Sequence, residues 1–256
     1  MAWHHMRRRI AINFTAALIL VGMWWLLALT SPLDYLPDPA RVLWSCVGII
    51  RSGEFFTQLY RTLVRIMAGF ALSTVISIVL GLGIGWKRVL DELLQLPIVV
   101  GLSIPALAWG MLSIMWFGLR DTAAVFAITV LVTPLVTVNI VQGVRSIDKS
   151  LIEMAQAFRA GHWLTMREVV LPQLLPYLLG GARLGLSLAW KTVVIVEMLG
   201  LSDGIGYMIS FWFSMFSMTN VLAWTLLFTG VMVVIEYGIL GPLERRITRW
   251  RPRAAF

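Results

Sequence analysis

Residues Val144 to Pro172, VRSIDKSLIEMAQAFRAGHWLTMREVVLP, form a polar stretch between two long apolar segments, and their reading decides how the chain is laid out. Leu151, Ile152, Ala155 and Phe158 recur at three- and four-residue steps, with Asp148, Lys149, Glu153, Gln156 and Arg159 on the other side, so a short amphipathic helix is predicted. Ala160 and Gly161 turn the chain. A second short helix, His162 to Leu171, places Trp163, Met166, Val169 and Val170 at helical spacing and is expected to stop at Pro172, which has no N–H to donate. An apolar stripe in a water-facing loop must be covered by something. Either a separate protein grips this helix pair, or the stripe lies on the membrane surface or on the chain's own spans.

The rest of the composition is built for lipid. Of 256 residues, 59% are hydrophobic and 13% charged, and the mean hydropathy is +0.84; a soluble domain has roughly a quarter of its residues charged. The expectation is one all-α transmembrane domain over residues 1–256, with no room for a second globular unit. A net charge of +8 could suggest nucleic acid, but the basic residues gather at the ends of apolar spans, which answers to the positive-inside rule and excludes that partner. The single Cys46 cannot form an internal disulfide. No GxxxxGK[ST] loop occurs, so the chain is no ATPase of that kind. His4, His5 and His162 make no metal cluster, there is no HExxH, and no serine sits beside a membrane-embedded histidine. Neither an enzyme nor a cofactor site is expected.

Six spans are predicted, at about 10–29, 59–86, 93–117, 122–142, 173–200 and 221–240, with the 144–172 loop inside. The first follows Arg7, Arg8 and Arg9 and is too long for a cleavable signal, which places the N-terminus inside. Basic residues then concentrate in the inner segments, with only Arg41, Arg51, Arg61 and Arg120 assigned outside, and the arginine-rich tail fixes the C-terminus inside. Between the first two spans, Asp38 caps a surface helix from Pro39 to about Arg51. The run Gly81 to Gly85 ends the second span at a spacing that permits close helix packing. Pro97, Gly101 and Pro105 interrupt the third span, and Pro134 kinks the fourth. The segment after Gly200 is too short to span and return, and dips against the outer face.

Arg183, Lys191 and Glu197 lie in the fifth span and Glu236 in the sixth. A charge in mid-span costs about 2.5–3.5 kcal/mol, so each faces protein or water. Two readings stay open: the cations pair with Glu197 or Glu236 to hold spans together, or they border a transport path. A direct Lys191 to Glu197 bond is disfavoured, because six residues put them about 9 Å apart along the axis and off a common face.

EMAQAFRAGHWLTMREVVLP resembles the cytoplasmic EAA loop of permease subunits of bacterial ABC importers. Glu153 and Ala155 match the Glu and second Ala, and Val169, Leu171 and Pro172 the closing residues; Met154 replaces the first Ala, and Arg159 stands at the pattern's Gly, with Gly161 the nearest glycine. LPDPARVL, IPALAWGMLSIMWFGL (at Pro105, Ala108, Trp109, Trp116, Phe117 and Gly118) and ARLGLSLAWKTVVIVEMLG are similar to the permeases that import nitrate, sulfonates and taurine, with Met111 at a usual proline. The resemblance implies a type I importer permease of a bacterial inner membrane. It implies that the helix pair enters a groove on an ATP-binding subunit, with Glu153, Ala155, Phe158, Arg159, Gly161, Leu171 and Pro172 in the coupling segment. Trp109, Arg183, Lys191 and Glu197 would lie beside the translocation path. Two permease copies, two ATP-binding subunits and a periplasmic or lipid-anchored substrate-binding protein would complete the importer of a small, anionic solute. The alternative is a self-sufficient secondary transporter or channel using the intramembrane charges, although such transporters commonly carry an internal repeat, and none is found here.

Overall fold

The computed structural model describes the backbone of residues 2–30, 36–242 and 246, and the side chains from residue 15 onward except 17 and 239. Among the described residues every regular element is helical: α1 (Ala2–Thr30), α2 (Pro39–Arg51), α3 (Glu54–Trp86), α4 (Arg88–Ser103), α5 (Ala106–Phe117), α6 (Asp121–Arg145), α7 (Lys149–Ala157), α8 (His162–Thr165), α9 (Leu171–Gly200), α10 (Ile205–Ser214) and α11 (Met218–Val233). π-Helical turns at Met166–Val170 and Val234–Leu240 continue α8 into α9 and extend α11. Among the described residues four helices are long and apolar enough to cross a membrane: Glu54–Trp86, Asp121–Arg145, His162–Gly200 and Met218–Gly238. The bent pair α4 and α5 makes a fifth if it is one span. The expected first span, 10–29, falls within α1, whose described apolar part is Leu18–Thr30. Of the arginine-rich tail, only Arg246 lies within the described residues.

α6 is the hub, buried along most of its length between α3 and α9. The reason is a ridge of small residues at every fourth position of α3: Gly69, Ser73, Ser77, Gly81 and Gly85. A Cβ added at Gly69 would lie 2.7 Å from Ile128 Cβ, one at Gly81 2.6 Å from Ile140 Cβ, and one at Gly85 2.6 Å from Val144 Cβ. At that separation, hydroxyls tie the helices as well. Ser77 Oγ donates to the Thr133 carbonyl at 3.0 Å, and Thr133 Oγ1 lies 3.3 Å from Ser73 Oγ. On the other side of α6, Gly185 of α9 meets Val136 Cγ2, 2.7 Å from where its Cβ would be.

The expected interruption within 93–117 falls at Pro105, where α4 and α5 meet at 98°. Pro105 has no N–H and forces Ile104 into an extended conformation (φ −73°, ψ 127°), which ends α4 there. Pro97 lies inside α4 without breaking it, and Gly101 brings α4 against the Pro134 ring of an unbroken α6. The helix after Gly161 does not stop at Pro172. The Leu171 amide donates to the Met166 carbonyl five residues back, and this π turn absorbs the register change around the missing proline N–H. The helix therefore runs through from His162 to Gly200.

Candidate transport site

The 144–172 loop is built locally. Asp148 caps α7 by accepting from the Ser150 amide at 2.9 Å, and hydrogen bonding from Ser150, side chain first and backbone second, holds its carboxyl below the ordinary aspartate value. α7 ends in a Schellman motif: the Ala160 amide donates to the Ala155 carbonyl and the Arg159 amide to that of Gln156, both at 2.9 Å. This motif needs a left-handed residue, and Arg159 supplies it with φ +53°. It is the position at which the resembling loops carry glycine, so the bend survives the replacement at a cost in strain. Ala155 is buried, whereas Phe158 and Trp163 are 81% and 78% exposed and Leu151, Met154 and Leu164 are exposed beside them. Ala155 and half-buried Ile152 are thus covered by this chain, whereas Phe158 and Trp163 are not covered by its described parts.

Lys191 projects from α9 into a groove of about 420 Å³ between α9, α10 and α11, walled by Trp190, Ile195, Ile209, Phe228 and Met232 and edged by Thr229. Its side chain is exposed, and no ion pair or hydrogen bond reaches it from the described residues. Arg183 is differently placed: its Nε donates to Glu236 Oε1 at 2.8 Å, joining α9 to the turn after α11. Trp109 is half-buried on α5, beside Gly110, which packs on Val196 and Leu199 of α9. The Trp109 Nε1–H finds no acceptor among the described residues.

Glu197 does not line the Lys191 groove. Its carboxylate is fully buried near the C-terminal end of α9, where it accepts from Arg65 Nη1 at 2.8 Å, from Thr62 Oγ1 at 2.9 Å and from the Gly206 amide at 2.9 Å. Arg65 also donates through Nε to Asp121 Oδ1 at 2.7 Å and through Nη1 to the Asp203 carbonyl at 2.8 Å, and it pairs with the Asp203 carboxylate. Arg61 approaches Asp203 at 3.8 Å from the exposed side. A polar cleft of about 430 Å³ opens beside the cluster, lined by Arg120, Asp121, Ser202 and Asp203. Arg65 escaped the reading of the sequence, although an arginine within a span is the same signal that drew attention to Arg183. It stands about 31 Å along α3 from Trp86, roughly the 30 Å thickness of a bilayer's hydrocarbon layer. Lys191 is about 9 Å along α9 from Glu197, toward the N-terminal end of the helix.

The family described as "binding-protein-dependent transport system inner membrane component" matches residues 73–249. A probable ABC transporter permease protein of Brucella abortus (strain 2308) is 28% identical over 245 residues, covering 96% of this chain and 97% of that one. The taurine transport system permease protein TauC of Escherichia coli K12 is 28% identical over 251 residues, covering 95% and 90%. The putative aliphatic sulfonates transport permease protein SsuC of Bacillus subtilis 168 is 30% identical over 221 residues, covering 84% and 78%. Among solved structures, an inward-facing form of the MetNI methionine ABC transporter superposes with a TM-score of 0.65 at 20% identity, covering 76% of this chain and 96% of that one, a likeness of fold.

Proposed function

Because the chain belongs to the binding-protein-dependent transport system inner membrane components, and so is a multi-pass permease subunit of an ABC importer and not an enzyme, we propose that its solute is a small anion that passes the Lys191 groove. The observation that carries this reading is a lone ammonium exposed within an apolar groove, about 9 Å along α9 from Glu197. Facing lipid it would cost about 2.5–3.5 kcal/mol, a cost removed if the groove holds water or an anion. Relatives named for taurine and aliphatic sulfonates fit a solute carrying a sulfonate. The self-driven alternative is weakened by the Arg183–Glu236 pair, since an ion route would need those groups free and they bind each other at 2.8 Å.

The family likeness supports the following assembly. Two copies of this chain form the path, two ATP-binding subunits drive it, and an external binding protein delivers the solute. Both termini lie in the cytoplasm. Exposed Phe158 and Trp163 are the grip of the ATP-binding subunit on the 144–172 loop, with Glu153 on the same short helix and Arg159, Gly161, Leu171 and Pro172 shaping the turn and its exit.

The lone Cys46 makes a direct test simple. In a Cys46→Ala background, Thr229→Cys places a thiol at the groove edge, and its labelling by anionic and cationic methanethiosulfonates is timed in the assembled importer. With Lys191 present the anionic reagent reacts several-fold faster than its cationic counterpart, through local field focusing, and Lys191→Gln removes the preference. Equal rates for both reagents in both proteins would overturn the anion reading.

A further inference from the structure

α10 is a helix of ten residues that does not cross the membrane, yet its Ile209 forms one wall of the Lys191 groove. Something must fix it there. Its own first turn supplies the answer, because the leading amides of a helix have no intrahelical acceptors. The Gly204 amide donates to Gln58 Oε1 at 2.7 Å, the Ile205 amide to Thr62 Oγ1 at 2.9 Å, and the Gly206 amide to Glu197 Oε2 at 2.9 Å. Two residues of α3 and one of α9 thus cap α10 from outside, with a carboxylate at the positive end of its dipole. The fit leaves no slack: Gly204 holds φ +105° with Glu197 where a Cβ would be, and Gly206 abuts the Val194 carbonyl in the same way.

Arg65 completes the device. It balances the Glu197 charge, and its other donors hold Asp121 at the start of α6 and Asp203 in the α9–α10 turn, so one guanidinium joins four segments. We propose that this cluster is a latch that positions α10, and that Thr62, Arg65 and Glu197 are positioning residues which set the width of the Lys191 groove. Glu197 then carries no ion; its charge is spent in holding a wall. The inference rests on the groove being the path.

The experiment uses Ile209→Cys in the Cys46→Ala background of the assembled importer, labelled with a neutral methanethiosulfonate so that Lys191 plays no part. Ile209 is nearly buried, so labelling is slow while the latch holds. Thr62→Val removes the hydroxyl that both donates to Glu197 and accepts from Ile205. The labelling rate then rises by about tenfold or more, the scale set by losing a hydrogen bond to a charged group in a local opening. Thr62→Ser keeps the hydroxyl and the slow rate, while Arg65→Lys, which keeps the charge but not the fork, raises the rate. In a companion protein with native residues at 46 and 209, Cys46, buried against α11, stays unreactive when Thr62 is changed to Val. An Ile209→Cys rate unmoved by both Thr62→Val and Arg65→Lys overturns the latch, and so does Cys46 becoming reactive in step, since that reports general loosening. The Thr229→Cys charge preference is read separately. Its loss with the latch response intact refutes the path and not the latch.

Discussion

Replacing Arg65 by Leu should destabilise the chain mainly through Glu197. The Glu197 side chain has no solvent exposure and would keep only the Thr62 and Gly206 donors, leaving a buried carboxylate without its countercharge. Breaking such a pair from one side costs about 3–5 kcal/mol. The other partners add little: Asp121 is 63% exposed and Asp203 34%, and pairs that water can reach are worth about 0–1 kcal/mol each. The cost therefore resides in one charge, and removing that charge should recover it. In the double replacement Arg65→Leu with Glu197→Gln, the neutral amide oxygen can still accept from Thr62 and Gly206, and the residual cost should fall to about 1–2 kcal/mol, that of an imperfectly satisfied polar group. The second substitution thus recovers about 1–4 kcal/mol of the first. Denaturant titration in detergent, followed by tryptophan fluorescence, measures both differences. The reasoning is refuted if Arg65→Leu costs less than about 1 kcal/mol, or if Glu197→Gln recovers nothing in its background.

Two further outcomes concern the 144–172 loop. Arg159→Gly should relieve the left-handed strain at φ +53°, a gain of about 1–2 kcal/mol set against about 0.5–1 kcal/mol of glycine entropy, so amide exchange across residues 149–160 slows slightly; faster exchange there would contradict the Schellman assignment. Phe158→Ala touches an 81% exposed ring and should leave stability within about 0.5 kcal/mol, while solute transported per ATP hydrolysed falls in the assembled importer; an unchanged ratio would remove Phe158 from the coupling surface.

Much of this architecture is legible in local sequence because local physics decides it. Asp38 before Pro39 starts α2 where expected, with the Arg41 amide donating to Asp38 Oδ1 at 2.9 Å. The same holds for Asp148 and α7, and for Gly81 and Gly85, whose spacing announces the approach of α6. What escaped depends on non-local or competing terms. Arg65 finds its partners 56 to 138 residues away, and no window of sequence encodes that meeting. The two prolines look alike in the sequence and act oppositely: Pro105 ends a helix, whereas at Pro172 a π turn lets the helix continue, and the choice is made by packing around them. Glu197 and Lys191 share a helix and an apolar setting, yet one is neutralised within the fold and the other is not.

The unbroken helix from His162 to Gly200 has a mechanical consequence. If the cluster at Glu197 is its pivot, the far tip at His162 is the long arm, about 52 Å away, and Lys191 rides the short arm at about 9 Å. A swing that carries the tip through several ångströms then shifts the ammonium by roughly a sixth as much. Such a lever gears a coarse stroke down to a fine one, so a solute resting on Lys191 would feel a small reorientation while the far end of the same rod sweeps open.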